Sequence, residues 1–123
     1  MIGYVTLGTD QLERAAAFYD ALLGVIGATR YMEGERFVAW AVAPNQPSLG
    51  VIRPYNGQPA TVGNGTMVAL VVDSKDKVDA LHAKALALGG SDEGAPGQRY
   101  PGFYAAYFRD LDGNKLNCCY MGD

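Results

Sequence analysis

Histidine, cysteine and clustered positive charge are scarce in this chain of 123 residues. His82 is the one histidine, the two cysteines, Cys118 and Cys119, are adjacent, and from Phe37 to Val72 there is no Asp, Glu, His or Cys. That long central stretch can therefore supply no carboxylate, imidazole or thiolate to a transition metal. Across a trans peptide the Cα atoms of neighbouring cysteines lie roughly 3.8 Å apart, short of the roughly 4.4 Å a disulfide needs, so the pair is expected to be reduced. On a strand the two thiols would point to opposite faces and could not share a ligand. A basic surface is missing as well. Ten Lys and Arg, scattered along the chain, face 13 Asp and Glu, for a net charge of −3 and a pI near 5.0, which argues against a nucleic-acid partner. The longest apolar runs, such as Met67–Val72, fall far below the roughly 18 residues of a membrane helix, and no basic segment precedes an apolar run at the amino terminus. The expected setting is the cytoplasm, without a membrane partner.

What is present is an ordinary globular composition, 49% apolar and 19% charged, arranged as a repeat. Sliding the chain by 63 residues lays Val5 on Val68, Leu7 on Leu70, Asp10 on Asp73, Ala17 on Ala80, Leu23 on Leu86 and Gly27 on Gly90. Internal repeats decide architecture before local detail does. One domain of two modules is expected, about 1–55 and 65–121, with the Gly-, Pro- and Asn-rich segment 56–64 as linker. A module of about 60 residues alone buries too little surface to be robust, so the modules should share an interface or pair with another subunit.

Within the first module, Tyr4–Leu7 reads as a strand. Asp10 with Glu13 three residues on has the form of a capping box, and Leu12, Ala16, Tyr19 and Leu23 give the helix that follows one apolar face. Strands are expected at 29–32, 37–42 and 49–52. The second module repeats this from Met67, with Val78, Leu81, Ala85 and Leu88 on its helix. Residues 92–102 read as a polar loop, 103–108 and 115–120 as strands, and Asp112-Gly113 as a two-residue hairpin turn between them.

The strand, the Asp-led helix carrying Phe18-Tyr19, and the late Arg109-Asp110-Leu111-Asp112-Gly113-Asn114-Lys115 hairpin together resemble the vicinal oxygen chelate superfamily, which includes glyoxalase I, bleomycin-resistance proteins and extradiol dioxygenases. The resemblance spans essentially the whole chain. It implies an α+β fold of two βαβββ modules with curled mixed sheets around a cavity, often completed by a second chain, so a homodimer is expected. In metal-dependent relatives one residue from the first and one from the last strand of each module, typically His or Glu, holds a divalent ion. Here those places fall on Tyr4, Met67, Asn117 and either Val51 or Ile52. None is a usual ligand for zinc, nickel, iron or manganese, so no metal and no other cofactor is expected.

Candidate chemistry is thin elsewhere. His82 reads as a surface or flank residue of the second helix, away from the cavity strands. Asp110, Asp112 and Asn114 mimic the start of a calcium loop, but Met121 stands where the bidentate glutamate would be. Cys119, on the predicted face of Asn117, has no base near it and reads as a buried thiol. Tyr4, Trp40, Tyr104 and Tyr107 suit either a core or a ligand wall, while Arg53, Arg99 and Asn56 are placed for a cavity rim. The expected wall is Tyr4, Trp40, Ile52, Met67, Arg99, Tyr104 and Asn117, with no catalytic residue. It fits a small, largely apolar or aromatic molecule bound without a metal, as the resemblance to sequestering bleomycin-resistance proteins implies. The alternative is a metal-dependent lyase of the lactoylglutathione-lyase kind, or a dioxygenase, with an altered metal site.

Overall fold

The computed structural model describes all residues, 1–123, as two compact units, Met1–Val62 and Gly63–Asp123. The first contains β1 (Tyr4–Gly8), α1 (Leu12–Gly24), β2 (Thr29–Glu33), β3 (Phe37–Ala41) and β4 (Ser48–Ile52). Its sheet runs β1-β4-β3-β2, with β1 parallel to β4 and the remaining pairs antiparallel. The second contains β5 (Val68–Val72), α2 (Lys75–Ala87), β6 (Ser91–Tyr100), β7 (Phe103–Arg109) and β8 (Lys115–Met121), in the order β5-β8-β7-β6 with β5 parallel to β8. Each unit is therefore a βαβββ module with a mixed four-stranded sheet, and no helix is long and apolar enough to cross a membrane. The two helices begin and end at the 63-residue offset of the repeat.

In each module one sheet face is closed by the helix. The apolar stripe of α1, including Leu12, Ala16, Tyr19 and Leu23, is buried over Leu7, Val38, Trp40, Leu49 and Val51. In the second module Val78, Leu81 and Ala85 of α2 are buried over Ala106, Phe108, Leu116 and Cys118. Registered strand partners share a face, so the neighbouring residues of the same strands project to the other side.

Three local expectations are corrected. The capping box at Asp10 and Glu13 does not form, and α1 starts after Gln11 without a side-chain cap. Thr9 Oγ1 accepts the Gln11 N–H at 3.0 Å, while the Asp10 carboxylate accepts the Ala60 N–H at 2.8 Å and so fastens the 56–62 segment to its module. The second helix does carry a cap, Ser74 Oγ, which accepts the Lys77 N–H. The polar stretch after α2 is not a loop but the edge strand β6, paired to β7 through three register shifts. Bulges at an edge accept Gly and Pro, which erases the alternation that would mark a strand. Finally, β7 and β8 are joined by a five-residue turn, since Arg109 pairs with Lys115. Its organiser is the buried Asp110, whose Oδ1 accepts the N–H groups of Asp112 and Asn114 and whose Oδ2 accepts Asn114 Nδ2–H. Gly113, at φ 89°, supplies the left-handed residue this turn requires.

Candidate functional site

On the helix-free face of the first sheet, Tyr4 and Thr6 of β1 stand opposite Ser48 and Gly50 of β4, and Gly50 opposite Ala39 of β3. Ile52 pairs with Phe37, and Met32 of β2 with Ala39. Short residues in the middle (Thr6, Ala39, Gly50) and long ones around them (Tyr4, Tyr31, Met32, Phe37, Ile52) leave a hollow of about 540 Å³, with Asn45, Gln46 and Ser48 at one end. None of its lining residues is acidic, basic, histidine or cysteine. A second depression lies against Glu35, Arg36, Phe37 and Ile52. The Arg36 guanidinium sits 5.1 Å from the centre of the Tyr55 ring.

On the corresponding face of the second sheet, Asn117 pairs with Tyr107 and Ala69, and Cys119 with Ala105 and Val71. Asn117 is buried and its Nδ2–H donates to the Ala106 carbonyl at 3.1 Å. Cys118 faces α2, its Sγ 3.6 Å from the Val78 carbonyl. Burial pushes the Cys118 thiol up to about 12 and raises the Cys119 thiol too. Neither is an activated nucleophile.

The seven residues expected in a ligand wall are thus distributed unevenly. Tyr4 and Ile52 line the first-module hollow. Trp40 does not: it lies on the helix side, buried, its ring 5.7 Å from that of Tyr19 and its Nε1–H bonded to Asp20 of α1 at 2.8 Å. Tyr104 is likewise turned toward its helix, where its hydroxyl donates to Asp79 at 2.6 Å. In both strands the alternation is intact but of the opposite parity, and smaller or less polar neighbours (Phe37 and Ala39, Ala105) take the open face. Met67, just before β5, is 42% exposed. Arg99 on β6 is parked against Ala95 and the ring of Tyr107, on the same side as Asn117. His82 is not a surface residue. It is 6% exposed, and its Nε2 lies 3.0 Å from Asp92, tying α2 to β6. Sequence reasoning missed the other residues of the hollow, among them Thr6, Tyr31, Met32, Phe37, Gly50 and the polar group Asn45, Gln46 and Ser48. The face of Tyr4, followed at spacing two, would have found Thr6, but the other strand residues required the strand pairing.

Strand register also resolves the fourth metal-ligand place of the superfamily. Thr6 and Ala69 are equivalent at the 63-residue offset, and their partners are Gly50 and Asn117. The counterpart of Asn117 is therefore Gly50, neither Val51, which is buried on the helix side, nor Ile52, two residues further along the open face. A phenol, a thioether, an amide already donating to Ala106 and a residue with no side chain do not make a donor set for a divalent ion. No three His, Cys, Asp or Glu side chains are grouped so as to hold one.

Sequence and structure comparisons fit this architecture. The family model described as Glyoxalase/Bleomycin resistance protein/Dioxygenase superfamily matches residues 1–118. The chain belongs to this superfamily. Among solved structures, a glyoxalase/bleomycin resistance protein from Albidiferax ferrireducens T118 is 38% identical, with 98% of each chain covered and a TM-score of 0.91. A hypothetical protein from S. aureus is 28% identical over 98% of this chain and 93% of that one, with a TM-score of 0.75. A lactoylglutathione lyase from Agrobacterium tumefaciens shares the superfamily fold at 24% identity and a TM-score of 0.70, over 98% and 92% of the two chains. Comparison with curated protein sequences gave no match.

Proposed function

We propose that this superfamily member binds a small, largely apolar or aromatic organic molecule without a metal, in the hollow of its first sheet, and sequesters it. The observation that carries this reading is the hollow itself. Its volume of about 540 Å³ lies within the roughly 300–1,000 Å³ typical of small-molecule sites, and its wall is aromatic and aliphatic with a few hydroxyl and amide groups at one end. Tyr31 and Phe37 offer ring faces, and Asn45, Gln46 and Ser48 can orient a ligand hydroxyl or carbonyl. An ionised group in the middle of this wall would lose its hydration without a partner, which selects for a neutral body. Exposed Val71, Tyr100 and Met121 support association with a second copy, and a homodimer is part of the proposal.

Calorimetric titration with 1-naphthol tests the site. Saturable binding is expected, weakened by Phe37→Ala and unaffected by dialysis against a chelator. No binding would remove the hollow as a site for such molecules, whereas binding and turnover that vanish with the chelator while elemental analysis finds one divalent ion per chain would favour a metal-dependent lyase or dioxygenase instead. Sedimentation as a monomer at micromolar concentration would remove the dimer from the proposal.

A further inference from the structure

The helix-free face of the second sheet gathers two cations on one phenol ring. Because Leu116 and Cys118 are turned to α2, Lys115 and Asn117 share the opposite face with Tyr107. The Lys115 Nζ lies 5.6 Å from the centre of the Tyr107 ring, and the Arg99 guanidinium carbon 5.5 Å from it. Arg99 is held there by a second contact, its Nη2–H donating to the Ala95 carbonyl at 2.6 Å. The backbone makes room for it. A Cβ on Gly97 would stand 2.8 Å from Arg99 Nη1, and one on Gly94 3.1 Å from Tyr107 Cδ2.

A ring face attracts a cation but does not neutralise it. Both acidic residues of β6 are engaged elsewhere: Asp92 accepts from the Gly94 N–H and meets His82, and Glu93 accepts from Arg109 Nε at 3.0 Å. Two positive charges are thus pinned around one ring with no carboxylate against them. The hydrogen-bonding groups left without a protein partner in this cluster are mainly donors, the remaining guanidinium N–H groups and the ammonium, joined by the Tyr107 hydroxyl. Donors of that kind form their strongest bonds to an ionised oxygen.

We propose that Arg99, Tyr107 and Lys115 form a binding site for the oxyanion group, carboxylate or phosphate, of a small molecule. The ring positions both cations, the Ala95 carbonyl fixes the plane of the guanidinium, and Gly97 keeps its edge clear. The site is independent of the first-module hollow and stands or falls without it.

The experiment is an NMR titration of the full chain with sodium phosphate and, separately, sodium benzoate, at ionic strength held constant with sodium chloride. Saturable shifts are expected at the amides of Tyr107 and Lys115. Arg99→Met and Lys115→Met should each weaken binding about tenfold or more, while Lys84→Met, in the last turn of α2, leaves it unchanged. Gly97→Ala keeps every charge yet displaces the guanidinium, and should weaken binding about threefold. A general pull of positive charge would not produce that effect. Tighter binding of phosphate than of benzoate identifies a phosphate site, and the reverse a carboxylate site. Shifts that stay linear with both anions, or that persist in the Arg99→Met Lys115→Met double variant, would overturn the proposal.

Discussion

Asn117 occupies in the second sheet the place that Gly50 occupies in the first: each lies opposite the same residue of the repeat, Ala69 in one case and Thr6 in the other. One module keeps a buried amide there, while the other has no side chain at all, and the hollow opens above the gap. A Cβ on Gly50 would lie 3.3 Å from the Val38 carbonyl oxygen and 3.5 Å from the Ala39 Cβ, so a side chain there requires the β3 backbone to give by a few tenths of an ångström.

Gly50→Val is accordingly expected to fill the floor of the hollow and weaken 1-naphthol binding about tenfold or more, while crowding against the Val38 carbonyl lowers the melting temperature by roughly 5–10 °C. Isothermal titration beside a thermal melt measures both. Undiminished affinity in a folded variant would place the ligand elsewhere.

His82→Ala should behave in the opposite way. Removing a buried imidazole leaves a cavity under α2 and frees Asp92, whose carboxyl is held below its ordinary value first by the Gly94 N–H and then by His82. A loss of about 2 kcal/mol in urea denaturation is expected, with 1-naphthol affinity unchanged. A variant as stable as the parent would mean that the His82–Asp92 contact contributes nothing.

The repeat, the two helices and the superfamily resemblance were all legible in the sequence, because each depends on residue type at a fixed spacing. Which face a strand residue takes was not. Trp40 and Tyr104 look like ligand-wall residues by size and polarity, but parity along a strand is set by pairing with β4 and β8, so the large rings lie under the helices. The edge strand β6 was hidden for a different reason. Its glycines and proline serve the bulges, and by propensity they spell a loop.

Acid should loosen the first module through Asp20. Arg30 binds that carboxylate through Nε at 2.9 Å and Nη2 at 2.8 Å, and Trp40 adds its Nε1–H. These bonds, chiefly that of Arg30, hold the Asp20 pKa below 3.8 against the opposing effect of burial. A depressed folded-state pKa means that this stability is fully present above the ordinary carboxylate value and is lost as pH falls through the folded one. Below about pH 4 the parent should therefore lose melting temperature more steeply than Asp20→Asn, and the emission of its single tryptophan, Trp40, should shift in the same window. Parallel curves for the two proteins would contradict this.

The thiols should be silent in the folded protein. With Cys118 pushed up to about 12 and Cys119 raised by burial, little thiolate exists near pH 8 and neither sulfur is exposed. A thiol-exchange reagent should find no reactive cysteine in native protein and two in denaturant. One fast-reacting group under native conditions would show that the β8 face opens.

The Asp110 turn bears on the order of events when the chain first folds. Its bonds join residues at most four apart, and they set β7 against β8 in an uninterrupted register from Arg109–Lys115 to Phe103–Met121. The parallel pairs, by contrast, must bring Tyr4 to Ser48 and Val68 to Leu116 across almost a whole module, a search that costs far more chain entropy. The carboxy-terminal hairpin should therefore serve as the nucleus on which β5 condenses last. Asp110→Ala would then slow refolding more than it speeds unfolding, whereas Val71→Ala would do the reverse.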